Sequence, residues 1–96
     1  MKLNELRDLC YEIAKDKGFW DAETKTPIKL MLIVTELGEA CEADRKGDHE
    51  NLREEIADTF IRLFDLCGHL NIDIEYEVDK KIQKNKTRPK LHGKGY

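Results

Sequence analysis

Apolar side chains recur at helical spacing in four stretches of the chain, and no stretch alternates apolar with polar residues as a half-buried strand requires. Leu3, Leu6, Leu9, Cys10, Ile13 and Ala14 fall on one stripe, which predicts a first helix from about Leu3 to Lys17, ended by Gly18. Phe19 and Trp20 then lie in a connection that reaches Thr26. Thr26-Pro27 pairs a capping hydroxyl with a proline whose fixed φ suits the first helical position, so a second helix is expected from there to about Lys46, closed by Gly47. Asp48 can cap a third helix extending to about Leu70, and Asn71 or Asp73 a fourth that fades near Asn85. Four such helices with short links imply an all-α fold, a four-helix antiparallel bundle.

The third helix has more apolar surface than its own bundle can cover. Advancing about 100° per residue, its apolar positions from Leu66 round to Ile61 sweep roughly 220°, wider than the stripe of a surface helix in a small monomer. That arc predicts a central helix, buried also against a second copy of the chain. A homodimer or homotetramer is expected.

Composition narrows the class. The 96 residues amount to one domain spanning 1–96, and 40% hydrophobic with 39% charged side chains excludes disorder and collagen-like repeats. No apolar run approaches the roughly 20 residues of a membrane span, and the opening MKLNELRDLCYE lacks a signal-peptide core, so a cytoplasmic location is expected. Cys10, Cys41 and Cys67 are odd in number, have no CxxC spacing and sit among apolar neighbours, which predicts buried, reduced thiols.

Net charge divides the chain unevenly. Residues 1–79 hold all 20 acidic side chains and ten of the 17 basic ones, a charge of −10; residues 80–96 hold seven bases and no acid, leaving −3 overall. The acidic body excludes general nucleic-acid binding, because it repels phosphates. The basic stretch from about 86 to 96 is expected as a mobile tail able to touch an anionic ligand.

The chemistry lies in the carboxylates. Glu36 and Glu39 on the second helix, and Glu55 and Asp58 on the third, form two pairs at i, i+3, a spacing that makes side chains neighbours. The short link sets the helices antiparallel and can bring the pairs face to face. Arg62 completes the polar face of the third helix and can pair with one of the acids. Converging carboxylates repel unless a cation lies among them, and magnesium, a hard ion that takes carboxylate oxygens and substrate phosphates, suits them, with manganese as a substitute. A di-iron site needs Glu-x-x-His pairs, whereas Lys46, Leu66 and Pro89 stand three residues before His49, His69 and His92. His49 and His69 are expected at helix ends, facing solvent. Spacing alone leaves a metal site and a solvated acidic face both open.

TELGEACEADR (Thr35 to Arg45) resembles the ExxE helix, and EEIADTFIRL (Glu54 to Leu63) the ExxD helix, of the MazG-like all-α nucleoside triphosphate pyrophosphohydrolase superfamily. The ending KKIQKNKTRPKLHGKGY is similar to that group's basic terminus, and the similarity runs from about Trp20 onward. The resemblance implies hydrolysis of a nucleoside or deoxynucleoside triphosphate to monophosphate and pyrophosphate, with Glu36, Glu39, Glu55 and Asp58 holding magnesium. It also implies that Lys81, Asn85, Arg88 and Lys94 contact the substrate, and that Trp20 packs on its base. Two other readings compete: phosphoribosyl-ATP pyrophosphohydrolase of histidine biosynthesis, and a non-catalytic helical interaction protein whose acids only solvate it.

Overall fold

The structure, a computed structural model, describes residues 1–95. Four α-helices follow one another: α1 (Leu3–Asp16), α2 (Thr26–Arg45), α3 (His49–His69) and α4 (Ile74–Lys86), then a 3-10 turn, Lys90–Gly93. No strand occurs among the described residues, and no helix there is long and apolar enough to cross a membrane. The all-α bundle expected from the sequence is what folds.

The helix ends follow their local chemistry. Asp48 and Asp73 each accept a hydrogen bond from the backbone N–H three residues on, at Asn51 and Tyr76, both at 3.1 Å, and so start α3 and α4. Gly18 and Gly47 turn left-handed, at φ +86° and +70°, which lets Phe19 N and Asp48 N reach back to Ala14 O and Ala43 O and close α1 and α2. Asn71, one of the two candidate caps for α4, takes the same left-handed turn at the end of α3 instead (φ 55°). Thr26 is not the cap of α2. Lys25 holds that place in extended backbone, its carbonyl accepting from Ile28 N and Lys29 N, so Thr26 is already helical.

α3 lies between α1 and α2 and runs antiparallel to both. Arg7 reaches the carbonyl of Ile72, Tyr11 meets Gly68 and Trp20 meets Asp65, so contacts move down α3 as they move up the first 20 residues. On the other side Glu36 meets Arg62 while Glu39 meets Glu55. α4 buries no side chain and is fastened at its first turn, where Asn4 donates to Asp73 and accepts from Ile74 N. The core is thin: Cys10, Ala14, Ile33, Ala40, Ala43, Leu66 and Cys67. Cys41, expected inside, is exposed, because Ala40 and Ala43 occupy the inward face of α2 and Cys41 is turned about 100° away on the outward stripe of Val34 and Leu37.

Gly68 is what lets α1 approach α3. A Cβ there would stand 2.5 Å from the Cβ of Tyr11, a clash between two rigid atoms. Overpacking costs about 1 to 3 kcal/mol, against roughly 1 kcal/mol recovered in helix propensity. Gly68→Ala should therefore lower Tm by about 4 to 8 °C for a net loss near 1 kcal/mol, and a raised Tm in calorimetry would contradict this helix crossing.

The apolar arc of α3 stays largely uncovered within one chain. Phe60 and Ile61 are 58% and 49% exposed, and Ile56 and Leu63 are more than two fifths exposed. The chain presents 7480 Å² to solvent, where a compact monomer of its mass presents roughly 5700 Å². Its radius of gyration is 15.8 Å, against about 12.5 Å for a close-packed domain of this length.

Candidate functional site

The antiparallel α2–α3 hairpin brings Glu36, Glu39 and Glu55 together, with one carboxylate oxygen of each lying within 4.8 Å of the others. Glu36 and Glu39 share the face of α2 that meets α3, and Glu55 answers them from α3. Asp58, one turn further along α3, is half-buried and shares an adjoining cleft with Glu36, but lies outside that group of three. Arg62 donates from Nε to Glu36 Oε1 at 2.7 Å and fixes that carboxylate, whose side chain is only 12% exposed.

Glu55 is the strained member. Hydrogen bonding to Glu36, then burial, then hydrogen bonding to Glu39 and the charges of both push its carboxyl up to about 7. Two carboxyl groups can hydrogen-bond only if one keeps a proton, so the cluster holds one near neutral pH. Glu55 Oε2 is buried and meets no N–H or hydroxyl donor. An orphaned oxygen amid three hard donors fits a divalent cation, which would satisfy that oxygen and remove the mutual repulsion.

Two clefts adjoin the acids. One, of ≈ 250 Å³, is bordered by Glu39, Glu55, Lys46 and Asn51 at the α2–α3 turn. The other, of ≈ 240 Å³, has an apolar floor of Ile13, Ala14 and Leu66 and opens beside Glu36 and Asp58. Trp20 and Phe19 form its aromatic rim. Trp20 donates from Nε1 to Asp65 Oδ1 at 2.7 Å, and its ring stacks on His69 with centroids 3.8 Å apart and planes 11° from parallel. The Lys29 ammonium lies 4.2 Å from the same ring. His69 covers one face of the Trp20 ring, so a base stacking on that face must displace it. Phe19 is 56% exposed.

Asp65 and Lys29 escaped the sequence reading, and His69 was placed there only as a helix end facing solvent. The signal was present: Asp65 and His69 continue the stripe of Asp58 and Arg62 at helical spacing along α3. His69 is exposed, as expected of a helix end, yet it has partners in the Trp20 ring and the Tyr11 hydroxyl, 3.4 Å from its Nδ1. Lys81 and Asn85 lie exposed on α4, Arg88 is half-buried just beyond it, and Lys94 is exposed after the 3-10 turn; none of the four borders either cleft.

No curated protein and no solved structure gives a significant match to the chain. The profile of the MazG nucleotide pyrophosphohydrolase domain matches residues 25–92, a span that carries all four acids, Arg62 and Asp65 and leaves out α1. With more than two thirds of its length so matched, the chain belongs to the MazG nucleotide pyrophosphohydrolase domain family.

Proposed function

We propose that this chain hydrolyses a nucleoside or deoxynucleoside triphosphate to the monophosphate and pyrophosphate, using magnesium, or manganese in its place, in the cytoplasmic nucleotide pool. The observation that carries the reading is the buried Glu55 oxygen that meets no N–H or hydroxyl donor, among Glu36 and Glu39, beside a cleft with an apolar floor and an aromatic rim. Glu36, Glu39 and Glu55 would hold the cation, with Asp58 beside them. When bound, the ion neutralises phosphate charge and acidifies a water for attack. Arg62 keeps the Glu36 carboxylate in one orientation, which saves reorganisation when charge develops on the substrate. The apolar floor takes the base and excludes water from it, leaving the triphosphate to run toward the acids.

Lys81, Asn85, Arg88 and Lys94 supply the positive charge that phosphates need. Because α4 packs on α1 and these side chains border neither cleft of their own chain, they would serve the site of a neighbouring copy in a homodimer or homotetramer. A panel of nucleoside and deoxynucleoside triphosphates with phosphoribosyl-ATP, run with magnesium and with chelator, tests the function. Phosphorus NMR should show monophosphate plus pyrophosphate only when the metal is present. Absence of metal-dependent turnover on every member would overturn it.

A further inference from the structure

Asp65 stands at the far end of the base-sized cleft from the acids that gather near Glu55, and its two oxygens differ. Oδ1 accepts the Trp20 indole N–H at 2.7 Å, while Oδ2, among the described residues, has no hydrogen-bond partner. Both neighbouring cations have a partner within the chain. Arg62 Nε is bound to Glu36 at 2.7 Å, and Lys29 Nζ donates to the Phe19 carbonyl at 3.0 Å while lying over the Trp20 ring. At this end of the cleft Asp65 Oδ2 thus offers a ligand edge an acceptor with negative charge, partly shielded from water.

We infer that Asp65 is the base-selecting residue of this site and favours nucleobases that carry an exocyclic amine over those with an oxygen in its place. The inference rests on the nucleotide reading proposed above. An amine of cytosine, adenine or guanine donates to Oδ2 directly, a charge-assisted bond. Uracil and thymine present one ring N–H between two carbonyl oxygens, and those oxygens face the carboxylate with like charge. A site whose polar group is left unpaired, or opposed, by the wrong base rejects it more strongly than apolar fit alone can. Burial raises the Asp65 carboxyl, and the Trp20 hydrogen bond with the charges of Lys29, His69 and Arg62 opposes that rise.

Asp65→Asn isolates the effect. The Trp20 N–H still requires an acceptor, so the amide oxygen stays there and the amide nitrogen, a donor, replaces the oxygen that met the base. CTP and UTP differ at the 4-position and the adjacent ring nitrogen alone, so the ratio of their kcat/KM values is the readout. The native protein should favour CTP by about 10-fold or more, and Asp65→Asn should move that ratio toward UTP by at least as much. If the substitution lowers both activities by one factor and leaves the ratio unchanged, Asp65 only anchors Trp20 and the inference is overturned.

Trp20, the one tryptophan of the chain, gives a readout that needs no turnover. Titration of its fluorescence with CMP and with UMP, without metal, should show tighter CMP binding in the native protein and lose or reverse that order in Asp65→Asn. Such discrimination without hydrolysis of any nucleotide would uphold the inference and sink the pyrophosphohydrolase reading. Hydrolysis with no discrimination in either assay would sink the inference alone. If no nucleotide is hydrolysed and neither monophosphate alters the fluorescence, both fall.

Discussion

Glu55→Gln should lower kcat for nucleotide hydrolysis by about 100-fold or more at saturating magnesium, without loss of fold. The amide keeps the shape of the side chain but gives up a negative donor at the point where Glu36 and Glu39 converge. The stability effect carries the opposite sign. In the metal-free protein the Glu55 carboxyl rises from 4.5 to about 7, chiefly through its hydrogen bond to Glu36, so the folded chain holds a proton that the unfolded chain has released. The contribution of this group to stability is therefore complete below about pH 4.5, falls as pH climbs from 4.5 toward 7, and changes no further above that. An amide cannot ionise, so Glu55→Gln should flatten this part of the metal-free stability profile and raise Tm at pH 8. Magnesium must displace the proton, so its binding should tighten up to about pH 7 and release protons, which calorimetry in two buffers of different ionisation enthalpy would count. Native-like turnover by Glu55→Gln would remove Glu55 from the metal site.

Light scattering at micromolar concentration should give a multiple of 11.2 kDa, and Phe60→Glu should weaken that assembly by about 30-fold or more. Phe60 is 58% exposed in the single chain and lies beside Phe64, with ring centroids 6.4 Å apart, on the arc of α3 that α1 and α2 leave bare. The excess surface of roughly 1800 Å² per chain, about 3600 Å² for two copies, falls in the range that obligate homodimer interfaces bury. If a neighbouring copy supplies Arg88 and Lys94, activity should fall with the assembly. Mixing inactive Glu55→Gln with a variant lacking Arg88 and Lys94 should then restore activity through mixed assemblies. A fully active 11 kDa monomer would dispose of both expectations.

The elements were legible because their ends are written in short-range chemistry. Asp48, Asp73, Gly18 and Gly47 act within four residues of where they stand, and each marks the terminus that its type suggests. The hairpin acids were legible for a related reason: a three-residue link leaves α2 and α3 little choice but to face each other. What spacing could not give was the partner of each side chain across α1 and α3. Trp20 and Asp65 are 45 residues apart, and no local rule joins them. The same limit explains Cys41, since an apolar neighbourhood in sequence does not say which of two adjacent faces of α2 looks inward. The four acids, equivalent by spacing, separate in three dimensions into three that meet and Asp58 beside them.

That α1 packs on α3, and not on the helix that follows it, has a consequence for how the chain is made. α2 and α3 are sequence neighbours and can pair as soon as both have left the ribosome. α1 must keep Cys10 and Ala14 unsheltered until Leu66 and Cys67 arrive, roughly 50 residues later, which at the usual pace of translation is some 3 to 10 s. Closing so long a loop also costs more entropy than the hairpin does. Of these three helices the first to be synthesised is thus the last to find its seat, and its apolar stripe, thiol included, waits longest in reach of chaperones and oxidants.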